Sequence, residues 1–377
     1  MYAAGPVPSI KEWQELWAAW DSVTRQMIPQ DELLSKPIKL RNACIFYLGH
    51  IPTFLDIHLT RASQGKPTEP AYFQKIFERG IDPDVDNPDL CHDHSEIPDT
   101  WPPLEAILRF QESVRERTNE SYASGAAENN YRVSRALWLA FEHEAMHLET
   151  LLYMLVQSER VLPPPGVVKP DFEALAQQSE ALAVENEWFS IPESRISTGL
   201  KDPDNEARKQ RYFGWDSEKP PRALYVKAFK AKARPITNGE YAEYLARTGQ
   251  TSIPASWCEA PISTIKVDGQ NGIINGHTNG CTNGEIESTH KAMEGRYIRT
   301  VFGAVPLQYA LHWAVVASYD ELAGCARWMG GRIPTMEEVR CLYNSVERGK
   351  MQKFDEALGH TIPAVNRSVY PNFNHVI

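Results

Sequence analysis

The chain has 377 residues, 42% of them hydrophobic and 23% charged, values that suit about two globular domains, each long enough to bury a core. Its net charge of −10 at pH 7 comes with no long basic run, which excludes nucleic acid and an anionic membrane surface as main partners. The six cysteines form no Cys-x-x-Cys pair, and the start MYAAGPVPSIKEW has neither a basic region nor an apolar run. No stretch approaches the roughly 18 apolar residues of a membrane span, so a cytoplasmic location is expected.

Trp13, Trp17 and Trp20 recur at the spacing of one buried face of a first helix. A second apolar segment, from about residue 38 to 59, contains Pro52, which is expected to kink or interrupt it. The Asp- and Pro-rich connection GIDPDVDNPDLCHDHSEIPDTWPP is long for a structureless loop and is expected to pack over a site. PLEAILRFQESVRER resumes helical spacing. The strongest helix is expected at about 130–157, with Leu137, Leu139, Phe141 and Met146 set among polar residues. Four helices of this size predict an antiparallel bundle over residues 1–162.

The proline-rich VLPPPGVVKPD ends the helical region, and with the helical pattern DFEALAQQSEALA it reads as a linker over 163–185. From 186 to 377 the chain changes to short strands and turns, such as ALYVKAF at 223–229. Three capping boxes predict helix starts there: Thr237 with Glu240, Ser318 with Glu321, and Thr335 with Glu338. Gly330 and Gly331 supply a stop after the second. The Gly/Asn-rich stretch 268–287 is expected to be a mobile insertion. The fold class is α+β and multidomain.

Chemistry concentrates in FEHEAMHLE. His143 and His147 are four residues apart on a helix, so both rings leave one face and can reach one metal ion. A third ligand is best supplied by His50 in FYLGHIPTF, since an unpaired imidazole in so apolar a segment would be costly. His58 reads as a helix-end histidine, and His92 and His94 lie in an acidic loop. Glu149 is a candidate to orient a ligand from behind, or a surface acid. Arg79 is a candidate anchor for a substrate carboxylate, or a loop-bracing arginine. Tyr47 reads as core packing, and Trp215 with Asp216 as braces of a turn in the second domain. His143-Glu144-Ala145-Met146-His147 also satisfies the zinc-protease pattern H-E-x-x-H, with Glu144 as general base. Thr150 and Tyr153 stand where the extended metzincin pattern needs Gly and His.

His50 with HEAMHLE resembles the iron-binding pattern of DinB-like helical bundles. FGWDSEKPPRALYVKAFKAKARPITNGEYAEYL, PASW and VVASYDELAGCARWMGGRIPTMEEV resemble the formylglycine-generating-enzyme-like (sulfatase-modifying-factor, C-type-lectin-like) fold. That domain order resembles the fungal ergothioneine sulfoxide synthases. The resemblance implies Fe(II) held by His50, His143 and His147, with dioxygen, hercynine and cysteine or γ-glutamylcysteine as substrates. It implies C–S bond formation with sulfoxidation, needing no separate reductant because both substrates supply electrons. Fungal members of that family usually carry a methyltransferase that makes hercynine; no Gly-rich cofactor fingerprint of that kind stands in this sequence, so a separate histidine methyltransferase is expected. The family's pocket tyrosine is expected beyond Ile377, leaving the second domain incomplete and activity impaired. The alternatives are a DinB-type metal-dependent thiol transferase or hydrolase and a non-catalytic remnant.

Overall fold

The computed structural model describes residues 7–39, 41–78, 98–200, 213–215, 218–259 and 293–345. Arg79, His92, His94, Asp216 and the stretch 268–287 lie outside the described residues. Contacts among the described residues divide them into two units. One gathers those within Ala3–Val167 and Gly199–Pro221, the other those within Val168–Thr198 and from Arg222 on.

In the first unit, Ser9 and Glu12 exchange hydrogen bonds in a capping box that starts α1, Ile10–Ser22. The tryptophan stripe then faces inward, Trp13 and Trp20 with no exposed surface. Helix α2, Cys44–Ser63, starts later than the apolar segment suggests and runs unbroken through Pro52. Proline removes one backbone donor, at a cost of about 3 kcal/mol in a helix interior. Burial offsets that cost, because α2 is covered on nearly every side by α4, Leu104–Ala123, and α6, Tyr131–Leu155. Between α2 and α4 lies the short α3, Phe73–Ile76. Another short helix, α5, Ala126–Asn129, leads to Asn130, whose side chain accepts from the N–H groups of Arg132 and Val133 and so starts α6.

Two charged groups tie the helices together. Arg115 on α4 donates through both terminal nitrogens to Asp21, each at 2.8 Å, and its guanidinium lies 5.2 Å over Trp17. Asp56 on α2 has no exposed surface and accepts from Thr68 N–H and Oγ1–H, from Gln74 Nε2 and from Arg117 Nη1. Residues 213–215 group with this unit: Phe213 meets Tyr131 and Trp138, and Trp215 lies 6.3 Å from Trp138. Trp215 also braces a turn, as expected, its N–H donating to Glu218 Oε2 and its carbonyl accepting from the Glu218 N–H, but it groups with the first unit and not with the second.

The second unit begins inside the expected linker. Helix α7, Phe172–Ala181, sets Phe172 against Phe302 and Trp313, and His312 Nε2 lies 2.6 Å from Glu180 Oε2. The segment read as one strand at 223–229 is two, β3 (Arg222–Val226) and β4 (Phe229–Lys232). They pair antiparallel with β2 (Ser194–Thr198) and β1 (Trp188–Ile191), respectively. A third antiparallel sheet runs β5 (Trp257–Glu259), β6 (Arg296–Thr300) and β7 (Gly303–Pro306).

The Thr237/Glu240 box starts α8, Asn238–Thr248. Asn238 accepts from Trp257 Nε1 at 3.0 Å and donates to the Ala310 carbonyl at 2.9 Å, which pins that helix to the third sheet. Ser318/Glu321 starts the helix Tyr319–Trp328. Gly330 ends it at φ +81°: its N–H reaches the Arg327 carbonyl and that of Gly331 the Ala326 carbonyl, a Schellman closure. Thr335/Glu338 opens helical residues 336–345. This unit is α+β, its main core gathering Tyr241, Leu245, Trp257, Ile298 and Ala326. No helix of the described residues is long and apolar enough to cross a membrane.

Candidate metal centre

Helix α6 presents His143 and His147 one turn apart, and α2 brings His50 to them from across the bundle. One ligand atom from each ring lies within 4.8 Å of the others. His50 Nε2 and His143 Nε2 are 3.2 Å apart. Imidazole nitrogens bound about 2.0–2.1 Å from one ion stand roughly 3.0–3.4 Å from each other at right-angled to tetrahedral geometry, so this pair has ligand spacing already. Bringing in His147 requires the wider gap to close by as much as about 1.5 Å, a movement of side-chain torsions.

The polar atoms fit a metal as well. His50 Nδ1 lies 2.7 Å from the Phe77 carbonyl, which can only accept, so Nδ1 carries the proton and Nε2 keeps its lone pair for the cluster. His147 Nδ1 is buried without a hydrogen-bond partner among the described residues, the kind of orphan that a ligand resolves. Phe54 stacks on His143 at 3.7 Å and 11°, and Phe46 on His50 at 5.0 Å and 19°. These walls fix the planes of two rings. The sequence signal for Phe46 and Phe54 was available, because both stand four residues from His50 on one helix face.

Burial holds all three imidazoles neutral, the form that binds metal. Burial lowers the pKa of His50. It lowers His143 well below the ordinary range, aided by His147, His50 and His58. It takes His147 to about 3, with His50 and Arg41 adding to the effect. His58 is pushed by burial to about 4, and its ring lies 4.4 Å from Phe54. Tyr47 is buried with its ring 5.7 Å from His147. Glu149 is exposed, and the cluster of potential ligand atoms among the described residues does not include it.

Glu144 points elsewhere. Its carboxyl is buried in the field of Arg115 and Asp21, and burial raises its pKa to about 8. A carboxyl that is protonated at neutral pH and set toward α1 and α4 does not serve as the base of a zinc protease.

That proton has a stability consequence. In the unfolded chain Glu144 ionises near 4.5, whereas the folded chain holds its proton to about 8. Stability from this group is complete below about 4.5 and is lost as pH rises through 8. Glu144→Gln is therefore expected to gain on the wild type between those limits, by roughly 4 kcal/mol at most. Urea unfolding at both ends of the window checks this, and an unchanged difference would contradict it. The histidines slope the other way: the metal-free protein loses stability as pH falls from 6.5 toward 3.

Residues 10–151 match the DinB superfamily. The chain is 53% identical over 373 residues to ergothioneine biosynthesis protein 1 of Neurospora crassa, an alignment covering 99% of the chain and 42% of that protein. It is 32% identical over 361 residues to the Schizosaccharomyces pombe protein of the same name, covering 90% of the chain and 42% of the relative. The chain thus spans less than half the length of these curated relatives.

Proposed function

From the premise that this chain is a relative of ergothioneine biosynthesis protein 1 with a DinB-superfamily segment, we propose that it takes part in ergothioneine biosynthesis as a non-haem iron(II) enzyme. In this reading it uses dioxygen to join cysteine or γ-glutamylcysteine to hercynine. The observation that carries the proposal is the convergence of His50, His143 and His147. The 186–377 region would form the second, formylglycine-generating-enzyme-like domain, and small molecules would be the partners.

The reaction balances without an external reductant. Forming the C–S bond removes two electrons from the thiol and the imidazole C–H, and making the sulfoxide removes two more. One oxygen atom goes to sulfur, and the other leaves as water with the two displaced hydrogens. Iron(II), when bound, supplies open coordination positions and the redox change that lets dioxygen react at ordinary temperature. The chain's part is orientation. His50 is held by its Nδ1–H bond to Phe77, and His143 is held flat against Phe54. The backbone of α6 fixes His147 one turn beyond His143. Phe46, Tyr47 and Phe54 flank the three rings, and the burial of His50 and His143 limits the access of water to them.

Protein loaded anaerobically with iron(II), then given hercynine, each thiol in turn and oxygen, is expected to consume oxygen and release a sulfoxide. Oxygen uptake should occur only when both organic substrates are present. Tight metal binding with no uptake under any pairing would overturn the synthase reading. Turnover with zinc in place of iron would favour a thiol transferase or hydrolase.

A further inference from the structure

Gly49 stands in the interior of α2, where glycine is a poor helix former and alanine a better one. Its backbone is ordinary helix, so no unusual torsion calls for glycine there. Space does. A Cβ built on Gly49 would lie 2.4 Å from Cε1 and Cζ of Phe77 and 2.6 Å from its Cδ1. The Phe77 ring thus rests on bare backbone of α2, one residue before the ligand His50.

That ring is held from the other side too. Trp101 stacks on it at 5.5 Å and 17°, Phe73 meets it edge-on at 5.3 Å, and it has no exposed surface. Phe77 also follows directly on α3, and its N–H closes that helical turn on the Phe73 carbonyl. Its own carbonyl lies past the end of the turn and reaches His50 Nδ1 at 2.7 Å.

We infer that Gly49 is a positioning residue for the histidine cluster: the missing side chain seats the Phe77 ring, and the seated ring brings the Phe77 carbonyl to His50. That carbonyl holds the proton on Nδ1 and leaves Nε2 free on the side of His143 and His147. The link between this arrangement and metal affinity rests on the proposed metal centre. The link between Gly49 and the His50 tautomer does not.

Gly49→Ala tests the inference in two independent ways. In metal-free wild-type protein, NMR of isotope-labelled histidine nitrogens is expected to show His50 as a single Nδ1–H tautomer. The variant is expected to show a mixture with the Nε2–H form. Cobalt(II), a spectroscopic stand-in for iron(II), is expected to bind the folded variant roughly 10- to 100-fold more weakly, the usual effect of disturbing a ligand's outer partner. Gly49→Ala with Phe77→Leu replaces the ring edge that the new methyl strikes by a smaller apolar side chain, which can seat against that methyl and keep the carbonyl of position 77 at His50. The pair is expected to recover the single tautomer and most of the cobalt affinity.

A folded Gly49→Ala protein with one Nδ1–H tautomer and unchanged cobalt binding overturns the inference. Should that variant not fold, the double variant decides: folded with the Nδ1–H form it supports the seat, and unfolded or mixed it overturns it. A wild type that takes up no cobalt would remove the metal reading and leave the tautomer result to judge Gly49.

Discussion

His143→Ala is expected to yield a folded protein that no longer retains a metal ion. The imidazole is buried, lies 3.2 Å from His50 through Nε2, and stacks on Phe54. Two nitrogens from different helices would remain, too few to hold an ion in a site with no carboxylate among its described residues. Altering an outer partner of a ligand already costs roughly 10- to 100-fold in affinity, so loss of a ligand should exceed that range. The fold should survive because α6 keeps its Asn130 cap and its buried Leu137, Leu151 and Leu155. Metal content after anaerobic loading and desalting, with circular dichroism as control, measures both halves. Iron content equal to the wild type would sink the ligand assignment.

Asp56→Ala should act on stability instead. This carboxylate is fully buried and receives four donors, among them Arg117 at 2.6 Å. An isolated surface pair would be worth little, but removing one member of a buried pair leaves the other charge without compensation and costs about 3–5 kcal/mol. The Arg117 side chain is 20% exposed, so water recovers part of the loss and the lower end is expected. Thermal unfolding should fall by roughly 10 °C for a unit of this size. Arg117→Met, which removes the cation and leaves Asp56 its three other donors, should cost less. Equal losses in the two variants would show that the network does not act through the carboxylate.

Local features of the site were legible in the sequence, and long-range ones were not. His143 and His147 share a face because helical period alone puts them there. His50 could be added because an imidazole between Leu48 and Ile51 calls for a partner. The tryptophan stripe of α1 and all three capping boxes follow equally local rules. The seat of Phe77 on Gly49 joins residues far apart in sequence, and nothing in LGHIP marks that glycine as a place where a ring will land. Pro52 leaves α2 uninterrupted for a related reason: local chemistry predicts a kink or a break, and burial against α4 and α6 keeps the helix continuous. Trp215 carried no signal for α6, since its partner Trp138 belongs to a pattern that already explained itself as helix core. Glu144 reads as a protease base in the motif, yet its neighbours Arg115 and Asp21 come from other helices.

The division of the three histidines between two helices bears on how an ion and the fold depend on each other. His143 and His147 are neighbours wherever α6 forms, but His50 lies 93 positions from His143 along the chain. An unfolded chain that recruited all three would have to close that long loop, at an entropic cost growing with the logarithm of its length. The bundle has closed the loop before any ion arrives. An ion at this place would thus distinguish sharply between the folded and unfolded chain and shift the folding equilibrium by mass action. The same three side chains would then act as a clasp on the bundle as well as a seat for the reagent.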